Sequence, residues 1–197
     1  MNYGRIVCFL LLSLLIIPAA HSADDNWELD KAHSNVYFSV DHIFSKVRGH
    51  FNDFSTDIVF NPEALDKSSF TFTIKVNYID TNISKRDKHL LSADFFDAGK
   101  YPTMTFTSTS VTAGEGGVYN VTGKLTVKGK SYDSTLPLVL AGVKEHPAVP
   151  GTEVAGFNGK ILIDRLSYGI GTGKFYEMGI VGKDVEVFVS LEVTRSK

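Results

Sequence analysis

Cysteine is nearly missing from this chain. The single copy, Cys8, lies in an apolar N-terminal stretch. An internal disulfide and an iron–sulfur ligand set are therefore excluded. If that stretch is removed on export, no thiol nucleophile remains either. Familiar catalytic signatures are missing too: there is no Gly-x-Ser-x-Gly and no His-Glu-x-x-His. The histidines beyond the N-terminal stretch (His33, His42, His50, His89, His146) are scattered without metal-ligand spacing, so no metal and no cofactor are expected. After Ile17 no apolar run approaches the length of a membrane span. There is also no excess of positive charge. The chain carries 20 basic and 22 acidic residues, and without Arg5 the balance is 19 against 22, a formal charge of −3. That excludes a general nucleic-acid binder.

The N-terminus supplies the first positive feature. Arg5 precedes the apolar run Ile6–Ile17, followed by Pro18 and the small residues Ala20 and Ser22. A basic start, an apolar core and a small-residue end make a secretory signal peptide. Cleavage is expected after Ser22, leaving residues 23–197 as one domain. No cysteine stands at that cleavage point, which argues against a lipoprotein.

The remainder alternates. Val36, Phe38, Val40 and His42 share one face of a strand, and Tyr37, Ser39 and Asp41 share the other. The pattern stumbles near Asp53-Phe54, as at a bulge, and stops at Asn61-Pro62. Phe70, Phe72, Ile74, Val76 and Tyr78 form the clearest apolar face, over Phe70–Ile79. Further strands follow from Thr103, from Val118, around Leu136–Leu140, over Val154–Asp164 and over Asp184–Thr194. Eight principal strands with hairpin-length turns describe an all-β, antiparallel sandwich or barrel. An exposed edge strand would be free to pair with a second copy, so a homodimer stays open.

Between two strands lies a different stretch, Asp80–Phe106. It crowds Arg86, Asp87, Lys88, His89 and three phenylalanines together. A helix capped by Asn82 or Ser84 and ending at Leu91 is expected there, closing one end of the body. Arg86 or Lys88 offers a phosphate-binding cation; equally, the group is a solvated structural cluster. Gly169–Lys174 resembles a phosphate loop only superficially. Tyr168 replaces the leading glycine and Phe175 the following Ser or Thr. Asn82-Ile83-Ser84 and Asn120-Val121-Thr122 are glycosylation sequons that matter only in a eukaryotic secretory pathway.

An eight-stranded barrel is wide enough either to fill with side chains or to enclose one small ligand. The apolar faces fit both a packed core and a cavity for a long apolar ligand, and periodicity does not separate them.

Several motifs resemble the YceI-like family. They are Trp27-x-Leu29-Asp30-x-x-His33-Ser34 with its following strand, and Asp80-Thr81 with Arg86-Asp87-x-His89-Leu90-x-Ser92-x-Asp94-Phe95-Phe96-Asp97. Tyr101-Pro102, Gly123-x-Leu125-Thr126-x-x-Gly129, Arg165-x-x-Tyr168-Gly169-Ile170 and Val181-Gly182-x-x-Val185 complete the set. The resemblance implies a lipocalin-like antiparallel β-barrel in the bacterial periplasm. It implies an apolar interior holding a polyisoprenoid or similar chain, such as a prenyl phosphate or a quinone tail, without catalysis. On that basis the lining is expected to include Phe38, Val40, Phe70, Phe72, Ile74, Phe106, Leu138, Phe157 and Ile161. His42, Arg86 and His89 are expected at the mouth, around a polar head. Transient contact with a membrane would accompany loading. An enzyme acting on such a lipid and a packed barrel serving as an interaction module are the alternatives.

Overall fold

The structure is a computed structural model that describes residues 25–197. The expected signal peptide, with Cys8, lies outside the described residues. Eleven strand segments make one continuous sheet. They are β1 (Asn26–Leu29), β2 (Asn35–His42), β3 (Ser45–Phe51), β4 (Phe54–Val59), β5 (Ser69–Lys75) and β6 (Ile79–Asp80). β7 (Thr103–Ala113), β8 (Val118–Val127), β9 (Lys130–Glu145), β10 (Thr152–Asp164) and β11 (Val181–Ser196) follow. The helices are α1 (Ser84–Leu91) and the short α2 (Lys174–Glu177).

β3 and β4 behave as one strand broken at Asn52-Asp53, beside the expected irregularity near Asp53-Phe54. Counted so, and with the short β1 and β6 set aside, eight antiparallel strands close into a barrel. β11 meets β2 along Val185–Ser190, and β1 bridges β11 and β4 beside it. The Ile43-Phe44 and Lys128-Gly129 turns and the connection from β10 to β11 lie at one end, here the cap end. The turns after β7 and β9 lie at the other, the base.

The base is solid. Phe60, Phe70 and Phe157 are almost wholly buried. Their rings meet mostly edge to face, with Phe157 5.1 Å from Phe60 and 5.6 Å from Phe70. Tyr119 adds a fourth ring 4.9 Å from Phe60. Such pairs contribute about 0.5–1.5 kcal/mol each beyond the area they bury. The Trp27 indole N–H donates to the Phe60 carbonyl at 3.0 Å, and the Arg195 guanidinium lies 4.3 Å from the Trp27 ring centre.

Two local expectations change. The strand expected to run to Ile79 stops at Lys75, and Val76–Tyr78 forms a 3-10 turn. With about three residues per turn instead of two, Val76 stays buried while Tyr78 swings out to solvent. Helix α1 has the expected limits, but its N-cap is Ile83 and no side chain caps it.

Candidate functional site: an apolar cavity beneath a two-loop cap

Above the aromatic base part of the inward surface is aliphatic. Val40, Val185, Val187, Ile161 and Ile163 border a cavity of about 170 Å³ inside the barrel. Phe38, Phe72, Ile74, Met104 and Phe106 complete the strand walls. These residues alternate with solvent-facing neighbours, so the pleat delivers them all to the inside. No polar atom opens into the space, although Thr105 and Arg165 stand among the bordering residues.

The cap consists of α1 with the turn after it, and the loop 165–180. Leu90, Phe95 and Phe96 enter from the first part and Ile170 from the second. Phe95 stacks against Phe175 of α2, their centres 6.3 Å apart, and joins the two parts. Three polar devices hold the cap. The Lys128 ammonium, projecting from a turn residue at φ 49°, donates to the carbonyls of Ala93, Phe95 and Gly169. Thr81 donates to the Asp87 carboxylate through its backbone N–H at 3.0 Å and its hydroxyl at 2.5 Å. Arg165 is buried and donates to the carbonyls of Ile170, Gly182 and Val181 at 2.7, 2.7 and 3.2 Å. Burial pushes its guanidinium pKa down, and the neighbouring Asp164 carboxylate partly opposes that. Gly171, at φ 80°, lies over this guanidinium; a Cβ there would come within 2.6 Å of Nη1.

Six of the nine residues expected to line the interior border the cavity: Phe38, Val40, Phe72, Ile74, Phe106 and Ile161. Phe70, Leu138 and Phe157 do not. They share the inward phase but sit at the base, where each is fully enclosed by other side chains. None of the expected mouth residues His42, Arg86 and His89 borders the cavity. Arg86 is bound inward to the Thr81 hydroxyl at 2.7 Å and the Thr81 carbonyl at 2.5 Å. His89 packs edge-on against Phe95 and reaches the exposed Asp94 at 3.3 Å. His42 ends β2 opposite Val181, and its carbonyl accepts from Ser45.

Lys128 and the role of Arg165 escaped the sequence reading, because backbone carbonyl partners leave no pattern in sequence. The only trace was the Arg165-x-x-Tyr168 motif, which carried no assigned task. One group of metal-ligating type occurs among the described residues: Asp30, His33 and Glu192, with donor atoms within 4.8 Å of one another. Its contacts are those of a loop latch. His33 Nδ1 lies 2.8 Å from Asp30, which also accepts from the Ala32 N–H.

Fold and cavity together define a closed antiparallel barrel with an apolar cavity beneath a cap formed by α1, the turn after it and the loop 165–180. Residues 27–193 match the YceI-like domain, and the chain belongs to the YceI-like family. Protein YceI of Salmonella newport is 34% identical over 192 residues, covering 96% of each chain. A UPF0312 protein of Vibrio cholerae is 34% identical over 81% of this chain and 85% of its own. Among solved structures, Burkholderia cenocepacia BcnA superposes with a TM-score of 0.75 at 31% identity, over 84% of this chain and 99% of that one. The Campylobacter jejuni YceI protein gives 0.69 at 32%, over 86% and 97%. A polyisoprenoid-binding domain from Saccharophagus degradans gives 0.62 at 16% over 89% and 100%, a likeness of fold alone.

Proposed function

We propose that this protein is an exported, periplasmic binding protein that takes up the chain of an isoprenoid or similar long lipid. It shields that chain for transport, storage or sensing and does not transform it. The observation that carries the reading is the cavity inside the barrel with no polar atom facing it. Isoprenoid binding by a barrel of the same fold supports it. Burial contributes about 0.8 kcal/mol per CH₂-sized group, so one five-carbon isoprene unit supplies about 4 kcal/mol. The cavity is close in size to the dry apolar cavity of about 150 Å³ that accepts benzene. A short length of chain therefore fits as the barrel stands, and a longer one needs the cap to lift. Leu90 and Phe96 are only partly buried and are the contacts that would give way.

An enzyme working on the lipid through Arg86, Asp87 and His89 finds no support in the geometry. Arg86 and Asp87 are engaged with Thr81, and none of the three borders the cavity.

The test is native mass spectrometry of the protein purified from its own periplasm, followed by organic extraction. A stoichiometric isoprenoid is the expected result. A protein that arrives empty and also refuses added prenyl lipids would overturn the reading. Terminal sequencing of the same sample should begin at Ala23.

A further inference from the structure

A second depression, of about 470 Å³, lies beside the N-terminus of α1. Its character is opposite to that of the cavity. Asn52, Asn77 and Asn82 present amides, and Asp80 and Asp87 present carboxylates. No lysine, arginine or histidine borders it. Ile79 is common to both walls: it borders the apolar cavity and also the polar depression. A lipid chain leaving the cavity past Ile79 would therefore emerge among amides and carboxylates.

We infer that this depression is the head-group site, and that it selects an uncharged head able to donate a hydrogen bond, such as a prenol hydroxyl, over a prenyl phosphate. The inference rests on the lipid-binding reading above and adds the class of head. Asp80 already accepts from the Asn82 N–H at 2.7 Å through one oxygen. Its other oxygen is suited to a hydroxyl donor, while the amides offer both donors and acceptors. A phosphate would bring −1.5 to −2 charges against two carboxylates. Those carboxylates already answer the positive end of α1. Of the cations nearby, Lys85 follows Ser84 in the chain but does not border the depression, and two others are engaged elsewhere. Arg86 is bound to Thr81, and Lys75, 5.7 Å from the Tyr78 ring centre, is paired with Asp53 at 2.6 Å.

The experiment compares geranylgeraniol with geranylgeranyl monophosphate on the purified full chain at low ionic strength. Each displaces a bound fluorescent prenyl probe. The alcohol should bind at least about tenfold more tightly, and added salt should narrow the gap. Asp80→Asn, which keeps the side-chain shape, and Asn77→Lys at an exposed position should each narrow it further by raising phosphate affinity. Equal or tighter binding of the phosphate would overturn the head-group assignment while leaving the lipid-binding reading intact. An unchanged gap in both variants would also overturn the assignment. Failure of both ligands and of the probe would overturn the two together.

Discussion

Two truncations, placed a short distance apart on the same strand, separate the base from the cavity. Phe157 and Ile161 both point inward from β10. Phe157 is fully enclosed and touches the rings of Phe60 and Phe70, so Phe157→Ala leaves a hole in a filled layer. The expected cost is about 3–5 kcal/mol. For a chain of this size that lowers the Tm by about 6–20 °C. Geranylgeraniol affinity should hardly change, because Phe157 does not border the cavity. Ile161→Ala removes three carbons that already face the void, so the stability loss should stay at about 2 kcal/mol or less. The same three carbons are wall for the ligand. At about 0.8 kcal/mol each, their loss weakens binding by up to about 2.4 kcal/mol, or roughly fiftyfold. Thermal unfolding by circular dichroism and probe displacement read the two quantities independently. The reasoning is refuted if Phe157→Ala weakens the lipid as much as Ile161→Ala does, or if Ile161→Ala is the more destabilising change.

Other consequences follow from single contacts. Arg165→Met keeps the apolar stem but leaves three carbonyls, one buried and two part-buried, without this donor. It should cost about 3 kcal/mol and speed hydrogen exchange over residues 165–182; unchanged exchange there would remove Arg165 as the support of the cap. Gly123 faces the irregularity in β7, and a Cβ there would come within 2.3 Å of the Thr107 carbonyl oxygen. Gly123→Ala should lower stability by about 1–3 kcal/mol, read as a drop in Tm. The Asp30–His33 latch should be visible in pH dependence. Its hydrogen bond raises the His33 pKa above the ordinary 6.5 and lowers that of Asp30 below 3.8. The histidine contribution is full below pH 6.5 and fades as pH rises through the raised value. The aspartate contribution is present above pH 3.8 and is lost on acidification. His33→Ala should therefore lower the Tm at pH 5 and leave it nearly unchanged at pH 9, and an equal drop at both would show that the latch is not ionic.

Much of the barrel was readable because a strand writes its two faces directly into the chain. The Val36–Phe38–Val40 and Val185–Val187–Val189 alternations, the helix over Ser84–Leu91 and the break at Asn52-Asp53 all appear as local patterns. Local pattern misled at Val76–Tyr78, where two apolar residues at strand spacing sit in a 3-10 turn. Position along the barrel axis is not a local property. Phe72 and Phe70 have the same residue type and the same inward phase, yet one borders the cavity and the other fills the base. The difference lies in what the closed barrel brings against each ring: Phe60 and Phe157 pack on Phe70, while Phe72 has Phe106 beside it on β7 and the cavity in front of it. Arg86 and Arg165 were likewise indistinguishable as charges. Only the folded chain shows one bonded to Thr81 and the other buried beneath Gly171. The sequence by itself thus determined the strands, the alternation and the family. The tertiary structure decided which inward residues meet empty space, because a void is set by what stands across from a side chain and not by its neighbours in the chain.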